Sequence, residues 1–170
     1  VIVYNPAADE LRESCTIPRE FQRGSAGVVQ WGNAFWIAQG ATNGHLREYG
    51  ARPFSGFTRF NPQTCEWTAL AATPAYARDH FQAALVGSRM VLASGRETPH
   101  SMDPTQTALF NTAMVEWFDL SEAMIGGVWH EGAAIPTPRA GTSVTATDNW
   151  VIVAGGESAH NGAGNCSGSP

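Results

Sequence analysis

Three arginines recur in one register. Arg23, Arg78 and Arg139 each precede a glycine by 17 positions, at Gly40, Gly95 and Gly156. A guanidinium presents a planar fork of donors that suits a carboxylate, a phosphate or an acidic peptide side chain. The same fork also ties loops together by donating to backbone carbonyls, and the spacing alone leaves both uses open. Three histidines keep a phase of their own: His45 and His100 follow the repeat glycine by five residues, and His160 follows Gly156 by four. Metal ligation would require them to converge at roughly 2 Å on one point. Equivalent loops on successive repeats diverge, so the histidines read as hydrogen-bonding loop residues and no metal is assigned. Asp79 and His80 break the pattern, because Gly24-Ser25 and Ala140-Gly141 stand there in the other two units. Residues that depart from a repeat are freer to serve a ligand than residues that obey it. The candidate ligand-binding set is therefore Arg78, His80, Arg96, His100, Arg139 and His45. No Ser-His-Asp order, carboxylate pair or phosphate loop supports catalysis, and no cofactor is expected.

The elements that must carry these side chains are strands. Within each unit a weakly alternating segment reaches a turn at Gly32-Asn33, Gly87-Ser88 or Asp148-Asn149, residues that tolerate the positive φ of a two-residue hairpin. Short apolar runs follow at Ala34 to Ala38, Met90 to Ala93 and Trp150 to Ala154, as expected of strands buried on both faces. A second pair of strands recurs as FTRFNPQTCEWTAL at 57–70 and VEWFDLSEAMIGGVWHEG at 115–132, with VIVYNPAADEL at 1–11 as a third instance. An aromatic followed by Asn-Pro or Asp-Leu marks the turn inside that pair. The pattern predicts strands near 25–30, 34–39, 55–60, 65–70, 80–86, 89–94, 114–118, 128–131, 142–147 and 150–154, with almost no helix.

Aromatic-Asn-Pro, a tryptophan, a proline-containing linker, an arginine and a strand ending in Gly155-Gly156-Glu157 together resemble the Kelch repeat. The resemblance covers residues 1–160. Gln39-Gly40 and Ser94-Gly95 depart from the usual glycine pair, and the first tryptophan is missing. The resemblance implies an all-β fold, a Kelch-type β-propeller segment with each repeat a blade. The units are a half blade at 1–17, complete four-stranded blades at 23–70 and 78–132, a half blade at 139–156, and a Gly/Ser/Asn-rich tail at 161–170. In this fold the loops at 41–53, 96–112 and 157–170 would open on one face, where the family binds ligands. Trp67 and Trp129 would pack between blades, and His130 would be structural.

Two blades and two halves fall short of the roughly four to eight that close a ring. The missing blades are expected either from a longer chain or from a second copy whose strands 1–17 complete the half blade at 139–156. Galactose-oxidase-like copper enzymes also carry kelch-like blades, with two tyrosines and two histidines as ligands and a tyrosine–cysteine link. Tyr4, Tyr49 and Tyr76 lie beside no histidine, so such an activity would need ligands outside this segment. The preferred reading is a non-catalytic binding module for a protein segment or a glycan.

The 170 residues are 43% hydrophobic and 15% charged, enough apolar matter for one core. The net charge of −5 sets 15 acidic residues against 10 arginines, which argues against a nucleic-acid partner. No run approaches a membrane span, and there is no hydrophobic leader. Cys15, Cys65 and Cys166 show no metal spacing; a Cys15–Cys65 bridge and two free thiols both fit, and free thiols are the expectation. Asn165-Cys166-Ser167 is a glycosylation sequon, which leans the localisation toward an extracellular setting.

Overall fold

The computed structural model describes residues 1–42, 52–97 and 110–158, without the side chains of residues 52, 53 and 110. The first element is a hairpin of β1 (Ile2–Asn5) and β2 (Glu10–Glu13), which pair only with each other. The first blade follows as β3 (Gly27–Trp31) and β4 (Ala34–Ala38). After the short strands β5 (Ala41–Thr42) and β6 (Arg52–Pro53) it is completed by β7 (Phe57–Asn61) and β8 (Glu66–Ala69). The second blade repeats the plan. A two-residue strand β9 (Arg78–Asp79) leads into β10 (Ala83–Val86) and β11 (Arg89–Ala93). Short strands β12 (Arg96–Glu97) and β13 (Phe110–Asn111) then lead to β14 (Val115–Asp119) and β15 (Trp129–Gly132). Strands β16 (Ser143–Ala146) and β17 (Val151–Ala154) form a last, two-stranded sheet.

Both four-stranded sheets run antiparallel in chain order, β3-β4-β7-β8 and β10-β11-β14-β15. Their registers superpose: Phe35 faces Phe60 in the first, and the equivalent Met90 faces Phe118 in the second. All ten predicted strands are present. The described residues hold only short 3-10 turns, at Arg19–Phe21 and Leu120–Glu122, and no helix long and apolar enough to cross a membrane.

The core lies between the blades. Trp36 and Phe57 of the first blade meet Phe118 and Trp129 of the second, with Phe57 ring centroids 5.1 Å from each of the latter two. Phe81, Met90 and Leu92 complete this buried cluster. Trp129 thus packs between blades as expected. Trp67 instead stacks on Phe60 at 4.3 Å and on Phe21 at 5.7 Å, within its own blade and the linker leading to it. Inner strand β10 packs against both β3 and β16, which sets the blades side by side about a common axis. At Gly27 a Cβ would lie 2.5 Å from the Phe81 ring, so this inner strand needs a glycine where the next blade approaches.

The end of each inner hairpin requires an unusual backbone. Gln39, Ser94 and Gly155 have φ of 55°, 70° and 66°, and the next residues Gly40, Gly95 and Gly156 have 112°, 110° and 77°. Two successive left-handed residues favour glycine at both places. Only the second position also forbids a Cβ by contact: one at Gly40 would sit 2.6 Å from the Gly24 carbonyl oxygen, and one at Gly156 would sit 2.5 Å from that of Ala140. At the first position Gly155 has nothing within 4 Å, so a side chain fits there at the cost of backbone strain alone. Gln39 and Ser94 offset that strain by donating from Nε2 to the Tyr76 carbonyl and from Oγ to the Arg139 carbonyl, on the approach to the next blade. Gly40→Ala should therefore destabilise the fold by about 2–3 kcal/mol or more. Gln39→Gly, which relieves strain and loses one hydrogen bond, should stay within about 1 kcal/mol of the parent. Denaturant titration of both variants checks the contrast.

The two ends carry much of the exposed apolar surface. Ile2, Tyr4 and Leu11 on the first hairpin are 72%, 51% and 71% exposed, and Trp150 and Ile152 on the last sheet are 74% and 47%. Unpaired strand edges bearing such side chains template further pairing. The 170-residue polypeptide is accordingly expected to dimerise or aggregate, which sedimentation velocity measures; a soluble monomer that unfolds cooperatively would contradict this.

Candidate functional site

The repeat arginines perform one structural task in all three units. Arg23 donates from Nε to the Gln39 carbonyl at 2.8 Å, Arg78 from Nη1 to the Ser94 carbonyl at 3.0 Å, and Arg139 from Nη1 to the Gly155 carbonyl at 2.9 Å. Each acceptor lies 16 residues on, at the end of the unit's second strand. Arg23 adds bonds to Phe21 O, Ile37 O and Thr58 Oγ1, and its guanidinium lies over the Phe54 ring at 4.4 Å. Burial pushes its guanidinium pKa down to about 10, so it remains cationic at neutral pH.

Arg78, expected on the ligand face, is instead fully buried at 0% exposure. It bonds Met114 O at 2.7 Å and Glu116 Oε2 at 2.5 Å besides Ser94 O, which occupies the fork from within the blade. Glu116 is buried too, and its other oxygen accepts from the Ala75 amide at 2.7 Å, tying the interblade linker to the same pair. Desolvation lowers the Arg78 pKa, opposed by the Glu116 carboxylate. This partner lies 38 residues away, beyond the reach of the repeat spacing around the arginine. Thr58, which meets Arg23 from the equivalent place in the first blade, is the repeat signal that could have located it.

A different group of side chains meets beside it. The carbonyl and amide of Asp79 pair with Arg96 across β9 and β12, and β13 joins on the far side to make a three-stranded stem beneath the segment 98–109. On this stem Arg96 Nε donates to Asp79 Oδ1 at 3.0 Å, and Arg96 Nη2 lies 2.9 Å from the same oxygen. His80 Nδ1 contacts that oxygen as well and lies 2.7 Å from Arg96 Nη2. The side chains of Asp79, Arg96 and His80 are 3%, 12% and 27% exposed, so the imidazole is the most accessible of the three. His80 holds φ of 53°, the left-handed conformation that Ser25 and Gly141 adopt at the same place with 56° and 64°.

The first unit has a smaller stem, in which β5 pairs with β6 and Gly24 bridges to Ala41. The third begins one, with Ala140 bridging to Glu157. All three stems thus leave their units at equivalent places. Arg139 is half-buried beside the third; it lies apart from the Asp79 cluster in hydrogen-bond terms, but its carbonyl receives the Gly95 amide at 2.7 Å. His45, His100 and His160 fall outside the described residues. Among the described residues no three His, Cys, Asp or Glu side chains group as metal ligands. His130 stacks on Trp117 at 4.1 Å on the outer strands, away from the stems.

The cysteine expectation is corrected. Cys15 and Cys65 form a disulfide with Cα atoms 5.3 Å apart, because the linker after β2 passes directly over the β7–β8 turn. Cys166 falls outside the described residues.

No protein-family model matches the chain. It is 26% identical over 155 residues to the Kelch-like protein terF of Aspergillus terreus, an alignment that takes in 91% of this chain and 31% of that protein. Among solved structures it resembles YjhT, a kelch-type propeller, with a TM-score of 0.72 at 15% identity. The match covers 93% of this chain and 45% of YjhT, so the chain spans less than half the length of either. The register of arginine, repeat glycine and aromatic strand pairs, joined to these likenesses, makes the chain similar to Kelch-repeat proteins, and its fold is that of a segment of an all-β propeller.

Proposed function

We propose that the segment is a non-catalytic interaction module that holds a protein segment or a glycan on the face bearing the loop stems. The observation that carries this reading is the Asp79–His80–Arg96 group. The repeat needs only small residues at these places, as Gly24, Ser25 and Ala41 show in the first unit, yet the second unit brings three ionisable side chains together at the root of its longest loop. Such groups are suited to fixing the orientation of a polar ligand by charge-assisted hydrogen bonds. His80 and Arg96 are the central contacts, Arg139 contributes from the adjacent unit, and His45 and His100 contribute from loops of the same phase. Arg78 supports the face from below, through Glu116 and the carbonyls, rather than touching the ligand. The blades that complete the ring come from a longer chain or from a second copy pairing β1 with β17.

Screening the protein against glycan and peptide libraries and measuring affinities for the retained ligand tests the site. His80→Gly removes the imidazole while suiting the positive φ, so it should keep or raise stability and weaken binding about tenfold, roughly 1.4 kcal/mol. Arg96→Ala should weaken binding by about 1.5–3 kcal/mol. Unchanged affinity in both variants would remove the stem from the binding site.

Arg78→Ala separates the frame from the face. It leaves Glu116 buried without its cation and should cost about 3–5 kcal/mol of stability. Arg78→Lys should recover little of it, because an ammonium lacks the fork that reaches two carbonyls and a carboxylate. Thermal melts report the loss, and affinity per folded molecule should stay near that of the parent.

A further inference from the structure

We propose that the Cys15–Cys65 disulfide is a redox-sensitive clamp that seats the outer hairpin of one blade against the rim of the next. The hairpin of β1 and β2 forms no sheet with any other strand. Its tail is held to itself, with the Ser14 amide donating to the Val1 carbonyl at 2.8 Å and the Val1 amino group to the Cys15 carbonyl at 2.6 Å. Beyond Cys15 the linker next meets the blade where Phe21 stacks on Trp67. Between those points the disulfide adds a cross-link from the hairpin's tail to the first blade beyond the continuous backbone, and it spans 50 residues of sequence. A cavity of about 320 Å³ lies where the clamped segment meets the hairpin, lined by Val1, Ile2, Cys15 and Ile17 among others.

The two sulfurs differ in access. Cys65 occupies an exposed turn with φ of 59°, whereas Cys15 is 4% exposed. An external dithiol would therefore attack the Cys65 sulfur as a thiolate, forming a mixed disulfide and expelling the Cys15 thiolate. The second thiol of the reagent then displaces Cys65. The reagent ends as its own disulfide, and its two protons and two electrons end on Cys15 and Cys65 as thiols. Formation of the bond requires the reverse flow, so the clamp closes where the surroundings are oxidising.

Hydrogen exchange on the intact 170-residue chain, with and without dithiothreitol, tests the clamp, with peptide mapping to confirm the Cys15–Cys65 cross-link before reduction and its loss afterwards. Reduction should speed exchange of the amides in residues 2–13 about tenfold, as expected for a local opening, and leave β10, β11, β14 and β15 unchanged. Cys65→Ser should exchange at the reduced rate whether or not the reagent is present. Three results would overturn the proposal: no cross-linked peptide, unchanged exchange after the bond is shown to be reduced, or acceleration throughout the second blade, which would make the bond a staple of the whole fold. Should Cys65→Ser fail to fold, the comparison of oxidised and reduced parent protein decides alone.

Discussion

The carbonyl oxygen of the repeat arginine is where one blade hands over to the next. Gly40 donates its amide to the Arg78 carbonyl at 3.0 Å, and Gly95 donates to the Arg139 carbonyl at 2.7 Å. The arginine's own side chain returns to the residue before the glycine of its own unit. Repeat glycine, arginine and next repeat glycine thus form one hydrogen-bonded series running across three units. Gln39, Gly40, Arg78, Ser94 and Gly95 in this series are buried, and a buried amide or carbonyl without a partner costs more than the bond itself contributes. The spacing between arginine and glycine cannot drift without orphaning both, so the interval of 17 residues is kept while the outer strands vary.

The same series explains how the units differ in burial. Arg23 reaches Thr58 and Arg78 reaches Glu116, each on the third strand of its blade. Arg139 belongs to a unit with two described strands, and its guanidinium is left with the Gly155 carbonyl and exposure to solvent. Arg23 and Arg78, whose third strands are both described, show that a residue of the third strand, Thr58 or Glu116, closes over the cation. A guanidinium sealed in this way tolerates desolvation because its donors meet fixed acceptors, and the carboxylate of Glu116 compensates in the blade where burial is deepest.

Much of this frame was legible in the sequence. The turn residues at Gly32-Asn33 and Gly87-Ser88 and the apolar runs after them fix the inner hairpins, and the aromatic strand pairs fix the outer ones. The two-residue strands of the stems were not legible, because hydrophobic periodicity carries no signal over so short a length. Trp67 was read as an interblade residue; it holds the register against Phe60 that Trp129 holds against Phe118, but the described strands before its blade are only β1 and β2, with no counterpart of the Phe57 that meets Trp129. The disulfide escaped because cysteine spacing cannot show whether two Cα atoms approach within bonding distance. Arg78 was placed on the ligand face by its repeat phase alone. The phase was correct, but it marked an obligation of the fold, and the irregular neighbours Asp79 and His80 were the better clue.

That distinction bears on how such a fold acquires function. In the first and third units the place of Asp79 holds Gly24 and Ala140, and the backbone bridges there form without any ionisable side chain. The Asp79–Arg96 pair is therefore not needed to make a stem. What the second unit adds in its backbone is one further pair, Arg78 with Glu97, since the first unit also sets three segments together, with β5 against β6 and Gly24 bridging to Ala41. A long loop on a firm stem presents its residues with less ordering to be done at the moment of contact, which is where affinity is otherwise lost. The partly exposed imidazole at the edge of the pair sits on the stem itself, on a backbone conformation that favours glycine. A histidine stands where the sister units use Ser25 and Gly141, all three with positive φ, and its imidazole meets the Asp79–Arg96 pair that neither sister unit has.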